Sequence, residues 1–178
     1  MAEGIKKSRY LIILPVLLFL WYGFNSFVIG LYMLGEDSRR KADLWIMANI
    51  RERTVFGEVY DVKSQPHGFA LSMPSLYSIK YLGYKCTALD GINPDYFVIT
   101  EDRADPDYAF TLEEARKVEE FMRCLERRYR LERMFRTPPP LGWQIPRDVE
   151  YEIHPDVLLY KKVRDPEDLR KANPSYQW

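Results

Sequence analysis

An uncharged stretch near the start of the chain restricts its fold more than any other feature. Residues 10–35 are 26 consecutive positions without Asp, Glu, Lys or Arg. A helix rises about 1.5 Å per residue and roughly 20 apolar residues cross the hydrocarbon of a bilayer, so the stretch is long enough even when tilted. The sequence therefore predicts a single N-terminal transmembrane helix over 10–35, preceded by a basic tail at 1–9.

A cleaved signal peptide is the main alternative interpretation of this stretch. Lys6, Lys7 and Arg9 would form its basic region, and residues 11–20 its apolar region. However, no small-x-small pair follows the apolar region, and apolar residues continue beyond it. These features favour an uncleaved anchor in the lipid bilayer over a signal peptide or the buried helix of a soluble protein.

Small and polar residues in the second half of the stretch suit contact with another helix. Asn25 needs a hydrogen-bond partner in apolar surroundings, either on a neighbouring helix or in its own. Gly23 and Gly30 lie one heptad apart, and Ser26 lies between them. We therefore predict a helix-docking set made of Gly23, Asn25, Ser26 and Gly30.

The charges that flank the stretch bear on its orientation. The far flank carries more basic residues than the near one: Arg39, Arg40, Lys41, Arg51 and Arg53. That count favours a cytoplasmic C-terminal part, whereas a short basic tail before the first apolar segment is typical of an N-in signal anchor. We expect a cytoplasmic N-terminus and a domain outside the cytoplasm. A disulfide between Cys86 and Cys124 is then available, because it requires an oxidising compartment.

The rest of the chain divides into a collar, a domain and a tail. Residues 36–54 suit a juxtamembrane helical collar that continues the first helix to about Arg53. Residues 55–164 form the globular domain, and 165–178 form a polar C-terminal tail. Strands are predicted at 55–62, 76–82, 84–89 and 96–100 from β-branched and aromatic residues between turn signals.

The clearest helix of the domain begins after Thr111. Thr111 and Glu114 form a capping box, and an apolar stripe recurs at three- and four-residue steps. Glu residues lie early and Arg residues late, which complements the helix dipole, and Pro138 is expected to end the helix. Beyond it, alternation over 149–153 and 157–163 predicts a β-hairpin. The fold class is thus α+β, with a small, mostly antiparallel sheet packed with one long amphipathic helix.

The sequence contains only weak candidates for a phosphate-binding, metal-binding or catalytic site. The 26 basic and 26 acidic residues give a net charge of zero, which excludes a general attraction to nucleic acid. The Arg-rich end of the long helix is more typical of a solvated, salt-bridged helix than of a phosphate site. A metal site would find only part of its ligand set in Glu150, Glu152 and His154. The solvent-facing side of a strand explains the same alternation. We predict no cofactor and no metal, and we lean against an enzyme.

Aromatic residues in the poor core-forming segments suggest contacts with other proteins. Trp143, Tyr176 and Trp178 fall in or beside the Pro-rich and terminal segments, where they either pack back onto the domain or dock on another subunit. Together these features predict an accessory or scaffolding subunit of a membrane-associated complex. Two alternatives stay open: a membrane-tethered sensor, exclusion or immunity factor, and, less favoured, a tethered hydrolase or metal enzyme using His67 and His154.

Overall fold

The structure is a computed structural model that describes residues 2–59, 77–109 and 111–163, and the side chains of all of these except 2–12, 148, 151 and 152. Along these residues the helices are α1 (Ala2–Met33), α2 (Ser38–Asn49), α3 (Cys86–Ile92), α4 (Glu101–Ala104), α5 (Leu112–Glu126) and α6 (Arg147–Ile153). The strands are β1 (Val55–Val59), β2 (Ser78–Leu82), β3 (Tyr96–Thr100), β4 (Tyr129–Phe135) and β5 (Val157–Lys162).

The five strands form one mixed sheet in the order β2-β1-β3-β5-β4. β1 is parallel to both β2 and β3, whereas β5 is antiparallel to β3 and to β4. The α+β class is confirmed, but the prediction of a mostly antiparallel sheet was wrong. β2 and β3 run in the same direction because the chain connects them through a helix rather than a hairpin turn: residues 84–89, which we had predicted as a strand, lead into α3.

Helices cover both faces of the sheet. On one face, α2 packs against strand residues such as Phe56, Val98 and Leu159. On the other face, α3 and α5 place Leu89, Phe121 and Leu125 against the opposite side chains of the same strands. The domain core is therefore two apolar layers separated by the sheet, rather than the single helix-on-sheet layer that we had predicted.

Two predicted elements change type in the structure. α5 begins with Thr111 Oγ1 accepting from the Glu114 amide at 3.1 Å, which confirms the cap, but it ends at Glu126, before the predicted end at Pro138. Residues 129–135 instead form β4, since they pair with β5. The predicted hairpin was also wrong, because residues 147–153 form α6 and only its second half, β5, is a strand.

The helical conformation is interrupted between α1 and α2. α1 ends at Met33, and α2 starts at Ser38 after Asp37, whose carboxylate accepts from the Arg39 amide. The helix predicted to run on to Arg53 is therefore two helices. α2 lies within the segment predicted as a collar, and it buries Ala42 and Ile46 completely in the domain core.

The middle of α1 is uncovered. From Ile13 to Tyr22 every side chain is exposed, and the large apolar ones include Phe19, at 79%. Among the described residues, one helix near the N-terminus, α1, is long and apolar enough to cross a membrane. Beyond these residues one side of the helix is covered, since Val28 and Tyr32 are at most 1% exposed, whereas Phe27 on another side is 59% exposed.

Candidate functional site

The domain meets the second half of α1 through a short loop rich in proline. In this loop, residues 137–146, Trp143 stands against α1, with ring centroids 5.6 Å from Trp21 and 5.0 Å from Phe24. Its indole Nε1 donates to Oδ1 of Asn25 at 3.2 Å, and the Asn25 amide donates to the Trp21 carbonyl at 2.8 Å. Trp143 and Asn25, each of which we had considered for a contact within the chain or with another protein, thus contact each other within the chain.

A buried histidine makes a second contact, at the end of α1. Nε2 of His154 lies 2.9 Å from the Tyr32 carbonyl, so this nitrogen must carry the proton, and the Tyr32 and His154 rings meet edge to face. Nδ1 of His154 faces Oδ1 of Asp37 at 4.0 Å. Both rings are nine-tenths or more buried, because Tyr32 is 1% and His154 5% exposed.

Further hydrogen bonds hold the turn between α1 and α2 on the domain. The Thr137 hydroxyl donates to the Glu36 carbonyl at 2.6 Å, and the Ser38 hydroxyl donates to the Pro155 carbonyl at 2.6 Å. Nε of Arg136 donates to Oδ2 of the buried Asp156 at 2.6 Å. We call these contacts between residues 21–38 and residues 136–156 the junction.

The junction also contains buried polar atoms without a hydrogen-bond partner among the described residues. They are the Tyr32 hydroxyl, His154 Nδ1 and Asp156 Oδ1. No group of three or more His, Cys, Asp and Glu side chains that could hold a metal lies within the described part of the chain.

The charged side chains of the junction form ion pairs with side chains of opposite charge. Burial acts to raise the pKa of Asp37, but hydrogen bonds from Arg39 and its charge outweigh burial and lower that pKa. Outside the junction, burial, helped by the nearby Asp156 carboxylate and opposed by Arg136, raises the pKa of Glu101. Within the junction, the Asp37 carboxylate is paired with Arg39 and the Asp156 carboxylate with Arg136.

The junction divides α1 into two opposite faces. Helical residues advance by about 100° each, so the residues that meet the domain form one stripe: Trp21, Asn25, Val28 and Tyr32. The small-residue face, made of Gly23, Ser26 and Gly30, lies on the opposite side. Gly23 and Ser26 are exposed, and a Cβ added at either glycine would meet nothing within 4 Å.

The two cysteines lie far from the junction, between α3 and α5. Cys86 and Cys124 are joined by a disulfide, with their Cα atoms 5.9 Å apart. This bond connects the two helices that cover the same face of the sheet.

Glu58, which the sequence did not single out, is a further unusual group. It lies on β1, in the middle of the parallel strands, and is 4% exposed. Burial raises its pKa to about 8, although the nearby Arg103 guanidinium acts to lower it. No periodic pattern reveals a lone carboxyl of this kind, because its burial depends on which strands flank β1.

Sequence reasoning also missed most of the junction. Tyr32 and Asp156 drew no functional prediction, Arg136 was considered only as part of the Arg-rich helix end, and His154 was considered only as a metal ligand or a residue of a tethered hydrolase. The contacts of α1 with Trp143 and His154 join residues 118 and 122 positions apart, which no local pattern can indicate. Of the other predicted residues, Tyr176, Trp178 and His67 lie outside the described residues.

Comparisons with protein-family models, with curated proteins and with solved structures each find no match for this chain.

Proposed function

We propose that this chain is a single-pass, membrane-anchored accessory or scaffolding subunit that acts through contacts with other membrane proteins. Its N-terminus would lie in the cytoplasm and its domain outside. The mechanism is positional: the anchor confines the domain to the membrane plane and raises its effective concentration for neighbouring partners.

The observation that carries this proposal is the junction. A flexible tether would need no contacts between helix and domain, yet here Trp143 and His154 fix the domain to the same helix that exposes its apolar half. A domain held in this way keeps one orientation relative to the bilayer. That property serves a subunit that must present a fixed surface to its neighbours.

The small-residue face supports a helical partner. Because the domain occupies the opposite side of α1, Gly23 and Ser26 are left open to another transmembrane helix. Small residues let helix backbones approach closely in lipid, where apolar burial gives little drive for association. Asn25 already has partners within the chain, so we assign the docking mainly to Gly23, Ser26 and Gly30.

The disulfide and the basic flank support the orientation. A disulfide between Cys86 and Cys124 persists in an oxidising compartment and is rare in the cytosol. Lys6, Lys7 and Arg9 before the apolar stretch suit the cytoplasmic side.

The test is recovery of partners after cross-linking in native membranes and purification in mild detergent. The double variant Gly23→Leu and Gly30→Leu should lower recovery of the bound proteins about tenfold, which corresponds to roughly 1.4 kcal/mol. The control is Leu17→Phe, on the opposite face of α1, which should leave recovery unchanged.

A wild-type protein that is purely monomeric and retains no partner would contradict the proposal. Equal recovery with the double variant would reject the small-residue face as the docking surface. A protein recovered alone that binds only when an incoming protein is added would instead favour the tethered-sensor alternative.

A further inference from the structure

We infer that the proline loop, residues 137–146, is a second membrane contact, which dips into the interfacial layer of the bilayer beside α1. The inference rests on the proposed anchor, since it uses α1 to define the depth of the membrane. It adds a specific partner, the lipid bilayer, for a segment of the domain itself.

The position of the loop along α1 is the first argument. If the hydrocarbon begins at Tyr10, about 20 residues carry α1 across it, to Ile29. Trp143 contacts Trp21, Phe24 and Asn25, which lie four to eight residues before that point. At about 1.5 Å per residue the indole therefore reaches roughly 6–12 Å below the membrane boundary, the depth of interfacial insertion.

The composition of the loop matches that depth. Residues 137–146 contain no charged side chain, and charge returns on both sides, at Arg136 and Arg147. Both arginine side chains are more than half exposed although each is paired with a domain carboxylate. Arginines that flank an apolar segment suit the level of the lipid headgroups.

The loop backbone leaves few donors that would need water. Four of its ten residues are proline, which has no N–H: Pro138, Pro139, Pro140 and Pro146. The amides of Gly142 and Trp143 donate to carbonyls within the loop, at 3.3 Å and 3.1 Å. Irregular backbone near hydrocarbon is costly where donors go unpaired, and this loop removes or pairs most of them.

Leu141 marks the tip of the loop. Its side chain is 79% exposed, and its φ of +58° is one that residues with a Cβ rarely adopt. A tip in water would favour Gly or Asn at such a position. A large apolar side chain held there, next to Trp143, is suited to contact with acyl chains.

The experiment places one spin label at a time on the full-length protein in lipid nanodiscs. The positions are Leu141→Cys and, as a second probe of the loop, Gln144→Cys, which is also exposed. Leu131→Cys is the matched control, an exposed leucine on β4, and Leu17→Cys reports on the anchor itself. The native cysteines are bonded to each other and do not take the label. Collision rates with molecular oxygen, which concentrates in lipid, and with a water-soluble nickel chelate give the depth of each label.

We expect the nickel collision rate at Leu141 to be roughly tenfold lower than at Leu131, with a higher oxygen rate, as at Leu17. Nickel access at both loop positions equal to that at Leu131, with Leu17 in lipid, would overturn the loop insertion and leave the anchor standing. Protection of the loop from both reagents would also overturn it, because a protein and not lipid would then cover the tip. Nickel access at Leu17 would overturn the anchor and the loop together.

Discussion

Glu58 places a carboxyl group inside the sheet, where its ionisation is costly. The side chain is 4% exposed, and burial raises its pKa to about 8 from an ordinary value of 4.5, although Arg103 opposes the shift. Below pH 4.5 the group is protonated in both the folded and the unfolded chain, so its protonation state does not penalise folding. As the pH rises, the unfolded chain ionises first, and stability falls until the folded state also ionises near pH 8.

We therefore predict that Glu58→Gln flattens the loss of stability between pH 4.5 and pH 8. The free energy of unfolding of the variant minus that of the wild type should be about 2–5 kcal/mol higher at pH 9 than at pH 4. Unfolding of the detergent-solubilised protein followed at several pH values measures this difference. Glu120→Gln, at an exposed position on α5, is the control and should leave the pH profile unchanged. A Glu58→Gln profile with the wild-type slope would contradict the assignment.

Gly57, on β1, leaves room for side chains of the neighbouring residues. A Cβ at this position would lie 2.6 Å from Cδ2 of Phe97 and 2.9 Å from atoms of Leu82 and Pro94. Gly57→Ala should therefore force Phe97 out of its place and lower the free energy of unfolding by roughly 1–3 kcal/mol. Chemical denaturation checks this against Gly83→Ala, where an added Cβ meets nothing within 4 Å. If the two variants are equally stable, the tight packing around Gly57 is not real.

At the scale of elements, the disulfide connects α3 to α5 and closes a loop with a sequence separation of 38. In the chain-entropy model, cross-linking such a loop stabilises the fold by about 4 kcal/mol, because it restricts the unfolded chain. Reduction should lower the free energy of unfolding by that order. The measurement is denaturation with and without reductant. The double variant Cys86→Ala and Cys124→Ala is the control, and it should already be destabilised and insensitive to reductant. Wild-type stability that reductant does not change would contradict the bond.

Elements with strong local signals were predictable from the sequence, and the others were not. β3 is a run of five residues rich in β-formers and lies where we predicted it, and the start of α5 follows from the Thr111 cap. α3 and α6 have only seven residues each, too few to show a helical period. The end of α5 was missed because Arg130 and Arg133, two of the arginines that we had assigned to its last turns, belong to β4, which exists only through pairing with β5.

Single residues of the candidate site were predictable from the sequence, but the contacts between distant residues were not. Asn25 was expected to bond either within its own helix or to another helix, and the bond to the Trp21 carbonyl is the first of these. Its second partner, Trp143, is 118 positions away, and a single sequence carries no signal for such a pair. The docking of Gly23, Ser26 and Gly30 on another membrane protein stays a prediction.

At the scale of the whole molecule, α1 has two roles, and each belongs to a different part of the helix. Residues 13–22 of α1 expose apolar side chains, and the part of the helix after them is covered by the domain on one side. Charges of both signs are dense beyond the uncharged stretch, and several are paired, as Arg136 is with Asp156. A net charge of zero is therefore the sum of three parts: +2 over residues 1–9, zero over the uncharged stretch, and −2 over the remainder, which has 23 basic and 25 acidic residues.

The orientation of this molecule can be tested on intact cells or sealed right-side-out vesicles. We expect a membrane-impermeant maleimide to label Leu131→Cys from outside, since this exposed leucine lies on the domain. Detergent permeabilisation should then add little further labelling. Labelling that appears only after permeabilisation would put the domain in the cytoplasm and reverse the orientation.

The central claim, that α1 is a rigid mount for the domain, is tested most directly by one distance measurement. Spin labels at Leu17→Cys on α1 and Leu131→Cys on β4, in lipid nanodiscs, report the distribution of the distance between helix and domain by pulsed electron resonance. We predict a single narrow distribution, which broadens when Trp143→Ala and His154→Ala remove the side-chain contacts of the domain with Asn25 and Tyr32 while the domain stays folded. A wild-type distribution as broad as that of the double variant would contradict the rigid mount.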